Sequence, residues 1–129
     1  MSKKLNEVIG TMEYDGLIVS NEPVAEVMSI ILDGQGALKR GTVLVGDYNS
    51  SEPITSTASA AFDPKTHAFY ILAEDVDDTN AETPVHVLAY RTGHFAANKL
   101  ITGSGYYLSA LDKENMRKCG ILVSDAIEI

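Results

Sequence analysis

The chain has 129 residues, a length that fits one domain with a real hydrophobic core. Its formal charge of -8 and isoelectric point near 4.7 create a field that repels phosphate and anionic lipid, so neither nucleic acid nor a membrane surface is an expected partner. The single cysteine, Cys119, excludes an intramolecular disulfide, and no Cys/His spacing suggests structural zinc, so the fold must hold by packing within or between copies.

Residues 1–10 carry Lys3 and Lys4 but no hydrophobic stretch of the secretory kind, and no apolar run reaches the roughly 18 residues of a membrane span. The expectation is a soluble, unprocessed chain made in a reducing cytoplasm. Residues 1–22 are irregular and polar apart from Leu17-Ile18-Val19, and Ser20-Asn21-Glu22-Pro23 closes them. They read as an extended N-terminal arm, or equally as an edge strand of the main sheet.

Residues 23–129 read as a single β-rich domain. From Val24 to Leu32 the β-branched content and the following Asp33-Gly34 favour a strand and turn. Gly41-Thr42-Val43-Leu44-Val45-Gly46-Asp47 is a glycine-bounded apolar run and predicts a buried strand. Residues 49–60 have the composition of a surface loop. After the Asp63-Pro64-Lys65-Thr66 turn, residues 68–73 predict a strand running into the acidic stretch Glu74-Asp75-Val76-Asp77-Asp78, read as a solvated loop. Between Val85 and Phe95 both faces are largely apolar, which predicts a central strand.

Ser109 and Asp112 form a capping-box spacing, Lys113, Arg117 and Lys118 lie toward the far end, and Gly120 sits at a C-cap position, which predicts a helix of about three turns at most. Ile121-Leu122-Val123 and then Ala126-Ile127-Glu128-Ile129 predict a closing strand. The fold class is therefore mostly β (β-rich α+β), with long loops, one short helix in the C-terminal half and an extended N-terminal arm, and not a βαβ sheet.

Candidate chemical sites are sparse. His67, His86 and His94 lack a second ligand type at useful spacing, although His86 and His94 share a face if their strand runs straight. The stretch from Asp75 has Asn80 where a calcium loop needs glycine and His86 where it needs a bidentate Glu. Gly34-Gln35-Gly36 and Gly103-Ser104-Gly105 precede no helix and read as turns rather than phosphate loops. Cys119 beside Lys118 fits an apolar core position. No nucleophile, base and orienter assemble, so no enzyme, cofactor or metal is expected.

The order of segments resembles the lambda-type head decoration proteins of tailed phages. The resemblance rests on a strand after a short arm, Lys39-Arg40-Gly41-Thr42-Val43-Leu44, Ile71-Leu72-Ala73-Glu74-Asp75-Val76, the Val85-His86-Val87 to Gly93-His94-Phe95 strand, and the Lys113 to Gly120 helix before Ala126-Ile127-Glu128-Ile129. It covers about residues 24–129 in layout. It implies a homotrimer that binds the major capsid protein on the outside of the expanded shell and stabilises it against internal DNA pressure, with the virion as its location after synthesis in the host cytoplasm. It also implies an arm that orders against the capsid, for which Tyr14, Leu17, Ile18 and Val19 are the candidate contacts. The alternative is a small-ligand or carbohydrate-binding β module that uses Tyr48, Tyr90, Tyr106 and Tyr107 as a platform.

Overall fold

The computed structural model describes residues 16–124, and over them the chain is mostly β, as the segment pattern predicts. The strands are β1 (Ile18–Ser20), β2 (Glu26–Leu32), β3 (Ala37–Leu38), β4 (Val43–Asp47), β5 (Ser50–Pro53), β6 (Ala68–Leu72), β7 (Val76–Asp77), β8 (Val85–Ala96) and β9 (Ile121–Ser124). Two helices, α1 (Ser56–Ala60) and α2 (Ala110–Lys118), and two 3-10 turns, Ala97–Lys99 and Gly103–Gly105, complete the described chain. Ala126 to Ile129, the second part of the expected closing strand, lie outside the described residues.

The central position expected for residues 85–95 is borne out, because β8 is the spine of a seven-stranded sheet. Tyr90 lies opposite Val27 of β2 and Ile71 of β6, and Phe95 lies opposite Ile18 of β1 and Val123 of β9, so β8 has a strand on each edge at both places. β6 continues to β4 and β4 to β5. The β4–β5 hairpin then approaches β2, where the Ile31 N–H donates to the Tyr48 carbonyl at 2.8 Å, and the sheet nearly closes on itself. β3 and β7 form a separate two-stranded ribbon.

Both faces of this sheet are covered around β4 and β6, which explains the continuous apolar runs there. Along β4, Val43 and Val45 pack into one cluster with Phe69, Ile71, Tyr90, Phe95, Met116 and Ile121. Leu44 between them packs into a second cluster with Ile30, Leu32, Tyr70, Leu72, Val87 and Ala89. Period-two alternation is present but hidden, since each face finds its own core. β8 moves between the two through a register shift, with Val27 opposite Tyr90 but Glu26 opposite Thr92, so Arg91 is an extra residue in the ladder. Tyr90 and Phe95, an odd number of positions apart, thereby reach the same cluster with ring centroids 5.5 Å apart. The same bulge means that His86 and His94 are not on one straight strand.

Four sequence expectations need correction. Residues 49–60 are not simply a loop. Ser50–Pro53 pairs with β4, held at the turn by the Asp47 carboxylate, which accepts from the Asn49 and Ser50 N–H groups. Thr55 then caps α1 by accepting from the Ala58 N–H. Tertiary pairing overrode weak strand propensity here.

Second, the acidic stretch is not merely solvated, because Asp78 is buried and Glu74, Asp75 and Asp77 all accept backbone N–H groups. Third, β9 runs parallel to β8, joined by a crossover through α2, so one small βαβ-like connection exists in an otherwise antiparallel sheet.

Fourth, residues 17–20 are part of the domain rather than of a free arm. β1 pairs antiparallel with β8, and Leu17 is 2% exposed in the first core cluster, its carbonyl accepting from the Ala96 N–H at 2.9 Å. The edge-strand alternative describes these residues, while residues 1–15 of the expected arm lie outside the described chain.

The helix predicted after Ser109 is present with its capping box complete. The Ser109 hydroxyl accepts from the Asp112 N–H, and the Asp112 carboxylate accepts from the Ser109 N–H. Gly120, with φ of +97°, follows the Cys119 C-cap and turns the chain into β9.

Candidate functional site

The buried polar groups of this domain are spent on holding its loops. Asp112 is nearly inaccessible and gathers three segments. Its carboxylate accepts from the Ser59 hydroxyl of α1 at 2.5 Å, from the Tyr106 hydroxyl, and from the Ser109 N–H at 2.9 Å. Burial pushes this carboxyl up, but the Ser109 N–H and the Ser59, Tyr106 and Ser109 side chains together outweigh it and hold the group below the usual carboxylate range.

Asp78 plays the corresponding part on the other loops. It accepts from the Gln35 N–H at 3.0 Å and the Gly36 N–H at 2.5 Å. Gly34-Gln35-Gly36 is thus a turn, as expected, and its pair of N–H donors already holds an anion, the chain's own carboxylate. Arg40 donates to the Ala73 carbonyl and to the Tyr90 hydroxyl at 2.8 Å, with its guanidinium 5.5 Å from the Tyr90 ring centroid.

The three histidines are dispersed. The His67 Nδ1 accepts from the Asp63 N–H, His94 shares a hydrogen bond with Ser124 of β9 at 2.8 Å, and His86 is exposed on β8. Among the described residues no three His, Cys, Asp or Glu side chains are grouped to hold a metal ion. Cys119 is half-buried against the first core cluster, as the apolar reading of it predicts.

The four tyrosines do not form one platform. Tyr90 is 1% exposed in the core, and Tyr106 is half-buried with its hydroxyl on Asp112. Tyr48 at the β4–β5 turn and Tyr107 before α2 are exposed but sit on separate elements.

Of the four residues expected to contact a capsid, Tyr14 lies outside the described residues, Leu17 serves this chain's own core, and Ile18 and Val19 are half-buried in β1. The structure brings Leu17 and Ile18 against the core rather than together on an open surface.

Several large apolar residues are open to a partner. Val27 and Leu88 are diagonal neighbours on the outer face of β2 and β8, 47% and 46% exposed, with Val24 just before β2 more exposed still. Tyr107, at 89% exposure, and Leu111 form the other exposed apolar positions near the start of α2, beside an open depression lined by Ala97, Leu100, Thr102 and Lys113. Sequence reasoning missed the β2 surface, because Val27 reads there as one more apolar residue in a run whose faces cannot be told apart. Exposed apolar residues thus lie on a frame in which the buried carboxylates, Asp78 and Asp112, are occupied by the chain's own donors.

No family model matches this chain, and comparison with curated proteins and with solved structures likewise finds no match.

Proposed function

We propose that this chain is a head decoration protein of a tailed phage, which binds the major capsid protein on the outside of the expanded shell as a homotrimer and stabilises it against internal DNA pressure. The observation that carries this reading is the order of elements. The strand β2, the glycine-bounded β4, β6 running into an acidic turn, the long β8, and a capped α2 returning as β9 follow the segment order that resembles lambda-type decoration proteins.

The chemistry agrees with such a role. The polar interior ties loops together instead of leaving a reactive constellation, and exposed apolar strips remain for protein contacts. Three copies acting together turn modest single contacts into strong attachment. A protein that binds only the expanded shell also stabilises that state by mass action, on the order of 2.7 kcal/mol per site at a hundredfold excess over its dissociation constant.

The test is direct. Virions produced with this chain's gene intact should carry the protein in a fixed ratio to the major capsid protein, and purified protein should co-sediment with expanded shells but not with unexpanded ones. Virions that lack the chain, or equal binding to both shell forms, would sink the proposal.

A further inference from the structure

β2 has two edges and only one is fully used. Met28, Ile30 and Leu32 alternate with Val27, Ser29 and Ile31 along its ladder with β8. The Ile31 N–H points away from β8, because it donates to the Tyr48 carbonyl. From the other side, Leu88 opposite Ser29 turns its N–H to Glu74 and its carbonyl to the Ala73 N–H, also away from β2. By antiparallel alternation, Val27 and Ser29 then direct their N–H and C=O groups outward as well. Both residues are exposed, and among the described residues no hydrogen bond to those outward groups is made.

The window is bounded. The Arg91 bulge ends regular pairing on one side of Val27, and Tyr48 covers the edge at Ile31 on the other. From Val27 to Ser29 β2 carries no charged residue and no proline, and its guards, the bulge and the Arg91–Glu26 pair, stand only at its start. Its outer face continues an apolar strip through Val24, Val27 and Leu88. Glu22 stands before one end of β2 and Asp33 beyond the other, both exposed, while Glu26 is paired with Arg91 at 2.8 Å and the Asp47 carboxylate holds its own turn.

We propose that the outer edge of β2 at Val27 and Ser29 is an acceptor for an extended segment of a partner protein, which adds as a short strand with apolar side chains at alternate positions and a lysine or arginine at its flank. The free main-chain groups select an extended backbone, Val27 and Leu88 select apolar side chains on the shared face, and Glu22 and Asp33 on a chain of net charge -8 select a basic donor. A second copy of this chain is the poorer occupant, since edge-to-edge pairing would bring two acidic rims together on a chain of net charge -8. This inference does not rest on the decoration reading.

The experiment uses the full chain and an acetylated, amidated peptide probe that alternates valine with threonine between terminal lysines. Amide exchange is read residue by residue by NMR. The expected result is slowed exchange and shifted resonances at the Val27 and Ser29 amides, lost when alternate peptide nitrogens are methylated and lost again in Ser29→Pro. Proline at 29 removes only an outward N–H, so the ladder with β8 is retained. If Ser29→Pro does not fold, the methylated and unmethylated probes decide alone. Unchanged exchange at both amides, or equal protection by the methylated probe, would overturn the proposal. A concentration-dependent dimer abolished by Ser29→Pro would overturn the choice of partner.

Discussion

Asp112 is the residue on which the most local structure depends. Its buried carboxylate joins α1, the 103–109 segment and the first turn of α2, and without it the half-buried Ser59 and Tyr106 hydroxyls and the Ser109 N–H would lose their shared acceptor. Asp112→Ala should therefore lower the unfolding free energy by about 3 kcal/mol, read by urea denaturation at neutral pH. Because the folded-state carboxyl is held below its ordinary range, its contribution is present above the pH where an unfolded aspartate ionises and is lost as pH falls through the folded value. The stability gap between the native chain and Asp112→Asn should accordingly be wide at neutral pH and shrink below about pH 4. A gap that stays constant down to acid unfolding would show that the charge of Asp112 is not what holds these segments. Gly46 poses a different residue-scale constraint. Its φ is +145°, and a Cβ there would lie 2.2 Å from the Ser50 carbonyl oxygen of the facing strand. Gly46→Ala should cost at least about 2 kcal/mol, and a thermal melt within a degree or two of the native chain would contradict this close approach.

At the scale of elements, β1 decides where the domain begins. Leu17 packs in the first core cluster and β1 completes one edge of β8 opposite β9, so these residues stabilise the chain's own fold. Leu17→Ala should destabilise by about 3 kcal/mol, and a truncation removing residues 1–22 should be far less stable than one removing residues 1–15. Equal denaturation midpoints for the two truncations would argue against β1 as part of the core sheet. The strands around β4, β6 and β8 were legible because their apolar runs are long and punctuated by glycine or turn residues, and α2 was legible from the Ser109–Asp112 capping box, the cations at its far end and Gly120. β1 was not, since three apolar residues before Ser20 fit an arm and an edge strand equally well, and only the partner strand β8 separates the two. β5 was hidden because Ser50-Ser51-Glu52-Pro53 has no strand propensity of its own and is held by pairing with β4. The candidate site was less legible than the fold. Outward-facing main-chain groups at Val27 and Ser29 leave no mark in a sequence, and Leu17 looked available only because burial depends on neighbours from distant parts of the chain.

For the whole molecule, charge and exposed apolar surface pull association in opposite directions. Each copy carries a net charge of -8, so bringing three together concentrates like charge, while exposed Tyr107, Leu111, Val27 and Leu88 offer apolar area to remove from water. With Cys119 the single cysteine, a disulfide could join at most two copies and cannot close a trimer. The proposed self-association is then governed by ionic strength. Repulsion between exposed carboxylates is screened over about 10 Å at 0.1 M salt and over about 3 Å at 1 M, whereas apolar burial is not weakened by salt. The mass measured by light scattering should therefore rise toward that of a trimer as protein concentration increases, and should do so at lower concentration in 0.5 M than in 0.02 M sodium chloride, on the order of the screening change these lengths imply. A trimer that dissociates on adding salt would place charged pairs, and not the apolar strips, at the interface. A monomer at every salt and protein concentration would leave trimer formation to the shell lattice alone, where the copies on purified expanded capsids would have to be counted instead.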